Sequence, residues 1–321
     1  MSMKTGFEIT LPATSANIGP AFDAAAITLG LCLNVRAKIA DEFSISAEGR
    51  DSGISGSLKN NMILETYKHV LMSARKSIPP LAMRVRNEIP IGKGCGSSAA
   101  ARLAGIALAV RFGGLNWNDE QILLEACRRE KHPDNAVACW LGGLTAARMV
   151  AGRNSRGTRS VAVKTVSLRP AVLWPVLLVV PRVPLSTAES RAALPKTYFR
   201  AETVNNLQNV ALLIGALASG RGDLLPYACK DHVHEPYRTH LCPLLRPLRK
   251  LNGKYGVLGV TLSGAGPSVL LFLDPHRSKD SIGNKVRATV RHHDLDAELL
   301  HTSITMIGAK NSRKQAASSA T

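Results

Sequence analysis

Apolar and polar residues alternate along Phe7-Glu8-Ile9-Thr10-Leu11, the two-residue period of a half-buried strand, and Pro12 is expected to end it. Residues 27–40, 43–47 and 81–85 read as further strands, with a glycine- and serine-rich loop over 48–57. Past Asn60 and Asn61 the period changes. Ile63, Tyr67, Val70 and Leu71 recur at helical spacing and predict an amphipathic helix to Ala74. An alanine-rich helix is predicted over 97–112, and another, capped by Asn118 and Asp119, runs to Arg129. Residues 153–159 are polar and basic, a surface hairpin or domain junction. The run 171–180 is about half the ~20 residues of a membrane-spanning helix and contains Pro175, which predicts a buried strand. A helix over 205–219, a leucine-rich helix ending at Leu251 and strands over 257–262 and 269–273 complete an α/β (α+β) pattern. The boundaries are placed at 1–165 and 166–308, and residues 309–321, low in hydrophobicity, are expected to be a disordered tail.

Composition narrows the class. The chain has 321 residues, 45% of them hydrophobic but only 4% aromatic, so its cores must be built from Ala, Val, Leu and Ile. The first ten residues hold no apolar signal-peptide core, which predicts a cytoplasmic protein without a membrane partner. Six cysteines (Cys32, Cys95, Cys127, Cys139, Cys229, Cys242) form no Cys-x-x-Cys pair, arguing against a zinc site or a disulfide framework. His232-x-His234 with Asp231 is a candidate metal site, with a polar turn before Pro236 as the simpler explanation. The net charge of +18 permits nucleic-acid binding by a regulatory protein. The basic residues are nevertheless spread along the chain and not interleaved with aromatics, which fits a cleft for small polyanions and predicts no specific nucleic-acid partner.

The candidate chemistry centres on Pro90-Ile-Gly-Lys-Gly-Cys-Gly-Ser-Ser-Ala99. Glycines at 92, 94 and 96 allow tight turns and close backbone approach, and the helix that follows has no carboxylate in its first turn to compete with an anion. Lys93 can lend charge, and Ser97 or Ser98 a hydroxyl to a phosphate oxygen or to Mg²⁺. No lysine follows Gly96, so this is no Walker loop, and the glycine spacing is not that of a dinucleotide fingerprint. A plain strand-to-helix turn is the alternative. A polar-studded loop, Pro12-Ala-Thr-Ser-Ala-Asn-Ile-Gly-Pro-Ala-Phe-Asp23, and a second glycine loop, Ser263-Gly-Ala-Gly-Pro-Ser268, stand one in each half, which suggests a site between the halves.

These three blocks, in this order, resemble the three signature motifs of the GHMP small-molecule kinases. His132-Pro-Asp-Asn135, Ser186-Thr-Ala-Glu-Ser-Arg191 and Glu235-Pro-Tyr-Arg238 are closest to the branch acting on L-homoserine. The resemblance implies the two-domain GHMP kinase fold with the active site in the interdomain cleft, a homodimer, and transfer of the ATP γ-phosphoryl group to the homoserine hydroxyl. It implies that Pro90, Gly92, Lys93, Gly94, Cys95, Gly96, Ser97, Ser98 and Ala99 wrap ATP, with Asn61 near the nucleoside. Ser98 and Glu125 would hold Mg²⁺, with Glu130 the second choice. Asp23 would take the substrate ammonium, and Arg191 and Arg238 its carboxylate. Asn17, His132, Asp134, Asn135, Thr187 and Gly264 would surround the reacting hydroxyl, with Asn17, Asp23, Thr187 and Arg191 in catalytic roles. Ala21 and Cys95 depart from the residues usual in the family, as does Ala24-Ala25-Ala26, and Cys95 could confer thiol sensitivity or be a buried inert thiol. A mevalonate, shikimate or sugar acceptor is the alternative within the class.

Overall fold

The computed structural model describes residues 6–153 and 159–316. Two sheets carry the chain. The first is built from β1 (Gly6–Asn17), β2 (Ala21–Ile39), β3 (Ser44–Gly49), β4 (Leu81–Asn87), β5 (Leu144–Arg153), β6 (Arg159–Leu168) and β11 (Lys314–Ala316), the second from β7 (Pro175–Pro181), β8 (Val257–Leu262), β9 (Val269–Leu273) and β10 (Ala297–Ser303). The first has the order β11-β1-β2-β4-β3, with β5 on the far end of β2 and β6 outside it; the second runs β10-β7-β9-β8 and is antiparallel throughout. Among the described residues only β3 and β4 pair in parallel. The chain passes between them through α1 (Ser52–Ser55) and α2 (Met62–Ser73), as a parallel crossover requires.

Pro12 does not end β1. The strand runs on to Asn17, and the antiparallel register with β2 shifts between Pro12 and Ala13, a bulge of the kind that tolerates a residue without an N–H. The block 12–23 is therefore two strand ends joined at Ile18–Pro20, where Asn17, Ile18 and Gly19 all have positive φ.

Helices α3 (Ser97–Phe112), α4 (Asp119–Glu130) and α5 (Asp134–Leu141) complete the first half. Gly105 lets α2 and α3 touch: a Cβ there would lie 2.5 Å from the Ile63 carbonyl oxygen. The junction predicted over 153–159 lies within the β5–β6 hairpin, and 154–158 fall outside the described residues.

In the second half, α6 (Thr187–Ala192), α7 (Arg200–Ser219), α8 (Leu225–Ala228), α9 (Glu235–Arg238), α10 (Leu245–Arg249) and α11 (Lys279–His292) surround the second sheet. β7 is apolar throughout because both its faces are buried. Val176, Leu178 and Val180 join the main core, while Leu177 and Val179 face a second one with Leu245, Leu248, Ile282 and Val286. The helix predicted from 205 begins at Arg200, and the leucine-rich segment condenses into the five-residue α10.

The disordered tail is corrected as far as it is described. Ala309–Asn311 form a 3₁₀ turn with Ala309 fully buried, and Lys314–Ala316 pair with Gly6–Glu8 as β11. Residues 1–5 and 317–321, which held part of the leader and tail expectations, lie outside the described residues. Among the described residues no helix is long and apolar enough to cross a membrane.

Candidate active site

The three loops singled out by sequence are bonded to one another by backbone and short side chains. Thr14 N donates to Cys95 O at 3.1 Å, and Gly264 N donates to Ala16 O at 3.0 Å. Ser263 Oγ donates to Gly94 O at 2.8 Å, and Asn17 Nδ2 donates to Gly264 O at 2.8 Å. Gly92, Gly94 and Gly96 all have φ between 70° and 78°. A Cβ on Gly94 would meet Ser263 O at 2.2 Å, and one on Gly96 would meet Thr14 Oγ1 at 2.0 Å. These positions require glycine twice over, for conformation and for contact. Gly96 caps α3 without a side-chain bond, and the first turn of α3 has no acid, so its amides are available to an anion.

The cavity between these loops is lined by Gly92, Gly94, Gly96, Ser97, Ser98 and Ala99 on the phosphate-loop side. Asn17, Asp23, His132, Asp134, Asn135, Thr187, Arg191, Arg238 and Gly264 line the rest, so every substrate residue picked from the sequence is brought together. Asp23 Oδ1 accepts from Arg191 Nη2 at 2.6 Å. Arg238 is almost fully buried, its Nε donates to Ser190 O at 3.1 Å, and burial followed by the charge of Arg191 lowers its pKa. The Phe22 ring lies under both guanidiniums, with centroid distances of 5.4 Å to Arg191 and 5.3 Å to Arg238. Sequence reasoning gave Phe22 no role; its place beside Asp23 in the first motif was the available signal.

At the loop 132–135, His132 Nδ1 lies 2.6 Å from Asp134 Oδ1, which also accepts from Asn135 N at 2.6 Å. Burial opposes protonation of His132, but the Asp134 hydrogen bond and charge outweigh it and raise the pKa. Thr14 Oγ1 donates to Asn135 Oδ1 at 2.6 Å, fixing that carboxamide. Asn17 uses both ends of its own, accepting from Asp23 N at 3.0 Å and donating to Gly264 O. It thus clamps the first loop to the third while lining the cavity.

Five other positions picked from the sequence, Asn61, Pro90, Lys93, Cys95 and Glu125, do not line this cavity. Asn61 is buried as the cap of α2: its Oδ1 accepts from Ile63 N and Leu64 N at 3.1 Å each, and its Nδ2 donates to Ser55 O, which commits three of its four hydrogen-bonding positions to the fold. Glu125 is held by Arg129 one turn on and does not line the cavity. Glu130 does line it, with Oε1 2.7 Å from Ser98 Oγ. Lys93 Nζ is tied to the Arg182 carbonyl and, like Pro90, is absent from the lining. Cys95 is fully buried, and burial pushes its thiol up to about 12, which makes it inert and removes the basis for thiol sensitivity. The His232-x-His234 metal reading also falls: Asp231 accepts the N–H groups of Val233, His234 and Glu235, the polar turn.

Two family models match the chain, the GHMP kinases N terminal domain over residues 61–143 and the GHMP kinases C terminal over 206–292. Fold and glycine-loop cleft together define a GHMP kinase. A homoserine kinase of Solibacter usitatus is 41% identical over 308 residues, 96% of this chain and 97% of that one. One from Deinococcus radiodurans is 33% identical over 302 residues, 94% and 95% of the two chains. The crystal structure of homoserine kinase from Cytophaga hutchinsonii shares the fold, with a TM-score of 0.76 over 98% of both chains at 22% identity. The chain belongs to the homoserine kinase family.

Proposed function

We propose that this protein transfers the γ-phosphoryl group of ATP to the side-chain hydroxyl of L-homoserine, giving O-phospho-L-homoserine on the route to threonine in the cytoplasm. The observation that carries the reading is the Asp23–Arg191 pair with Arg238 beside it in the cavity that the phosphate loop also lines. A zwitterionic amino acid can insert there without leaving a charge unpaired: its ammonium replaces Arg191 at Asp23, and its carboxylate takes Arg191 and Arg238. Mevalonate or shikimate, which lack the amine, would leave Asp23 facing an acid.

The α3 amides and Gly92–Ser98 hold the phosphates. Leu58 and Met62, exposed apolar side chains, offer a nucleobase contact in place of Asn61; Met62 Sδ lies 3.3 Å from Ser98 Oγ. The hydroxyl of Ser98 and the carboxylate of Glu130 are hard oxygen donors suited to Mg²⁺. Arg102 Nε already places a cation 2.6 Å from Glu130 Oε1 and 3.3 Å from Ser98 Oγ, so the spot accepts positive charge. Mg²⁺ there would neutralise the transferring phosphates. Asp134 is spent on His132 and Asn135, and Asn135 on Thr14, which favours positioning of the hydroxyl with Thr187 over a strong general base. Pairing of two copies belongs to the same reading. The outer face of α7, with Val204 and Leu207 exposed and no charge from Thr203 to Ser219, supports it in a chain of net charge +18.

The test is ATP- and Mg²⁺-dependent phosphorylation of L-homoserine against mevalonate, shikimate and galactose. Turnover specific for homoserine is expected. Asp23→Ala should lose about 10²-fold or more in kcat/KM, the order expected for an unpaired substrate charge in a closed site. Glu130→Gln should raise the Mg²⁺ requirement, whereas Glu125→Gln leaves it unchanged. Turnover on another acceptor would overturn the substrate reading.

A further inference from the structure

We propose that His234, which does not line the cavity, is a positioning residue that aims the Arg238 guanidinium at the substrate, with Phe22 as its platform. The inference rests on the homoserine reading, in which Arg238 takes the carboxylate. His234 is fully buried, and its own backbone N–H is pinned by Asp231 at 2.8 Å. Its Nε2 lies 2.7 Å from Gly19 O, which can only accept, so Nε2 carries the proton and Nδ1 is left as an acceptor. Arg238 Nη1 lies 3.0 Å from that Nδ1 and donates to it. Burial and the neighbouring Arg238 charge outweigh Asp231 and lower the His234 pKa to about 4, so the ring stays in this neutral form at working pH.

The same ring stacks on Phe22 at 5.2 Å and 28°, and Phe22 in turn lies under Arg238 and Arg191. With Nε held by Ser190 O and Nη1 by His234, the guanidinium is fixed in its plane and supported on its face, leaving its remaining N–H groups for a carboxylate. His234 thereby joins the first-motif turn, through Gly19, to the helix bearing Arg238.

Two amide substitutions separate the two bonds. His234→Asn sets a carbonyl oxygen near the position of Nδ1 and retains an acceptor for Arg238. His234→Gln sets its amide nitrogen near Nε2 and retains only the bond to Gly19. His234→Gln should raise KM for L-homoserine about ten-fold, the worth of one hydrogen bond to a charged group, with kcat and KM for ATP within about two-fold; His234→Asn should restore most of it. Phe22→Leu should shift KM in the same direction. With 3-aminopropan-1-ol, the acceptor lacking the carboxylate, tested as substrate or as competitor, wild type and His234→Gln should behave alike. Equal losses on both acceptors, or an unchanged KM for homoserine, would overturn the proposal. If the wild type fails to phosphorylate homoserine at all, the functional reading fails, and the crystal structure of His234→Gln decides the positioning claim. Arg238 displaced from its place over Phe22 would support it, and Arg238 unmoved would sink it.

Discussion

Glu235 is wholly buried between an ion pair and a backbone amide. Its Oε1 accepts from Leu262 N at 2.5 Å, at the end of the strand that enters the third loop, and its Oε2 pairs with Arg249. Burial raises its pKa to about 7 despite Arg249, whose side chain is 36% exposed and so pairs through partly solvated charge. Between the ordinary 4.5 and about 7 the folded protein keeps a proton that the unfolded chain has released. This contribution to stability is complete below 4.5 and lost as pH rises through 7. Glu235→Gln keeps an acceptor for Leu262 N and removes the titration. The Tm of the variant minus that of wild type should therefore become more positive from pH 5 to pH 8, as followed by circular dichroism; a flat difference would mean that Glu235 is ionised throughout. At this scale the sequence is least legible where two like residues share a helix. Glu125 and Glu130 are five residues apart, about 140° around α4, so one faces Ser98 and the other does not. Only the packing of α4 decides which. Asn61 is ambiguous for a related reason, since an asparagine before a helix is as good a cap as a ligand contact, and here Ile63 and Leu64 supply the capped amides.

The elements that make the cleft are short, and what holds them is loop-to-loop bonding. Gly94 lies where the phosphate loop crosses the third loop, at φ 78° with Ser263 O and Gly266 O in the place of a side chain. Gly94→Ala should push the two loops apart and cost about 10²-fold in kcat/KM for ATP, the scale of a misplacement near 1 Å. Gly114→Ala is the comparison, because Gly114 also has positive φ (62°) but nothing within 4 Å of a Cβ. It should lose only ~1–2 kcal/mol of stability, with activity intact. Equal activity losses in both would show that strain, not contact, matters. The glycine pattern was readable because such positions admit no other residue, and α3, β8 and β9 were readable because their ends coincide with these loops. β10 was not: Glu298 and His301 alternate with half-buried positions, and its register is set by β7, more than a hundred residues earlier. Pro12 hid the second half of β1, since a bulge leaves no mark in local sequence.

At the scale of the whole molecule, the chain changes sheets between Leu168 and Pro175 and then returns to the first sheet at its end. A linear division into two domains cannot express that return, and polar composition disguises it, because β11 is an edge strand whose contribution is backbone pairing. The return does more than add three residues to β1. Thr10 N donates to Ser312 Oγ at 3.0 Å, and Ser312 Oγ donates to Thr10 O at 2.7 Å. Arg313 lies over Trp140, 4.9 Å from its ring, and pairs with Asp119 at the start of α4. Ala309 is buried, and the backbone at Gly308 is so close to Trp140 O that a Cβ would sit 2.4 Å away. Residues 309–316 therefore close the main core beside α5, the helix that opens with Asp134 and Asn135 of the cleft. Comparing a chain ending at Gly308 with one ending at Ala316 isolates this segment. Loss of a few hydrogen bonds at ~1 kcal/mol each, with one buried alanine, should cost about 3 kcal/mol. That is a fall of roughly 4–5 °C in Tm for a protein of 321 residues. The bared edge of β1 should also raise aggregation on heating. Equal melting of the two chains would mean that the return strand adds nothing to the core it covers, and that β1 is stable with one neighbour.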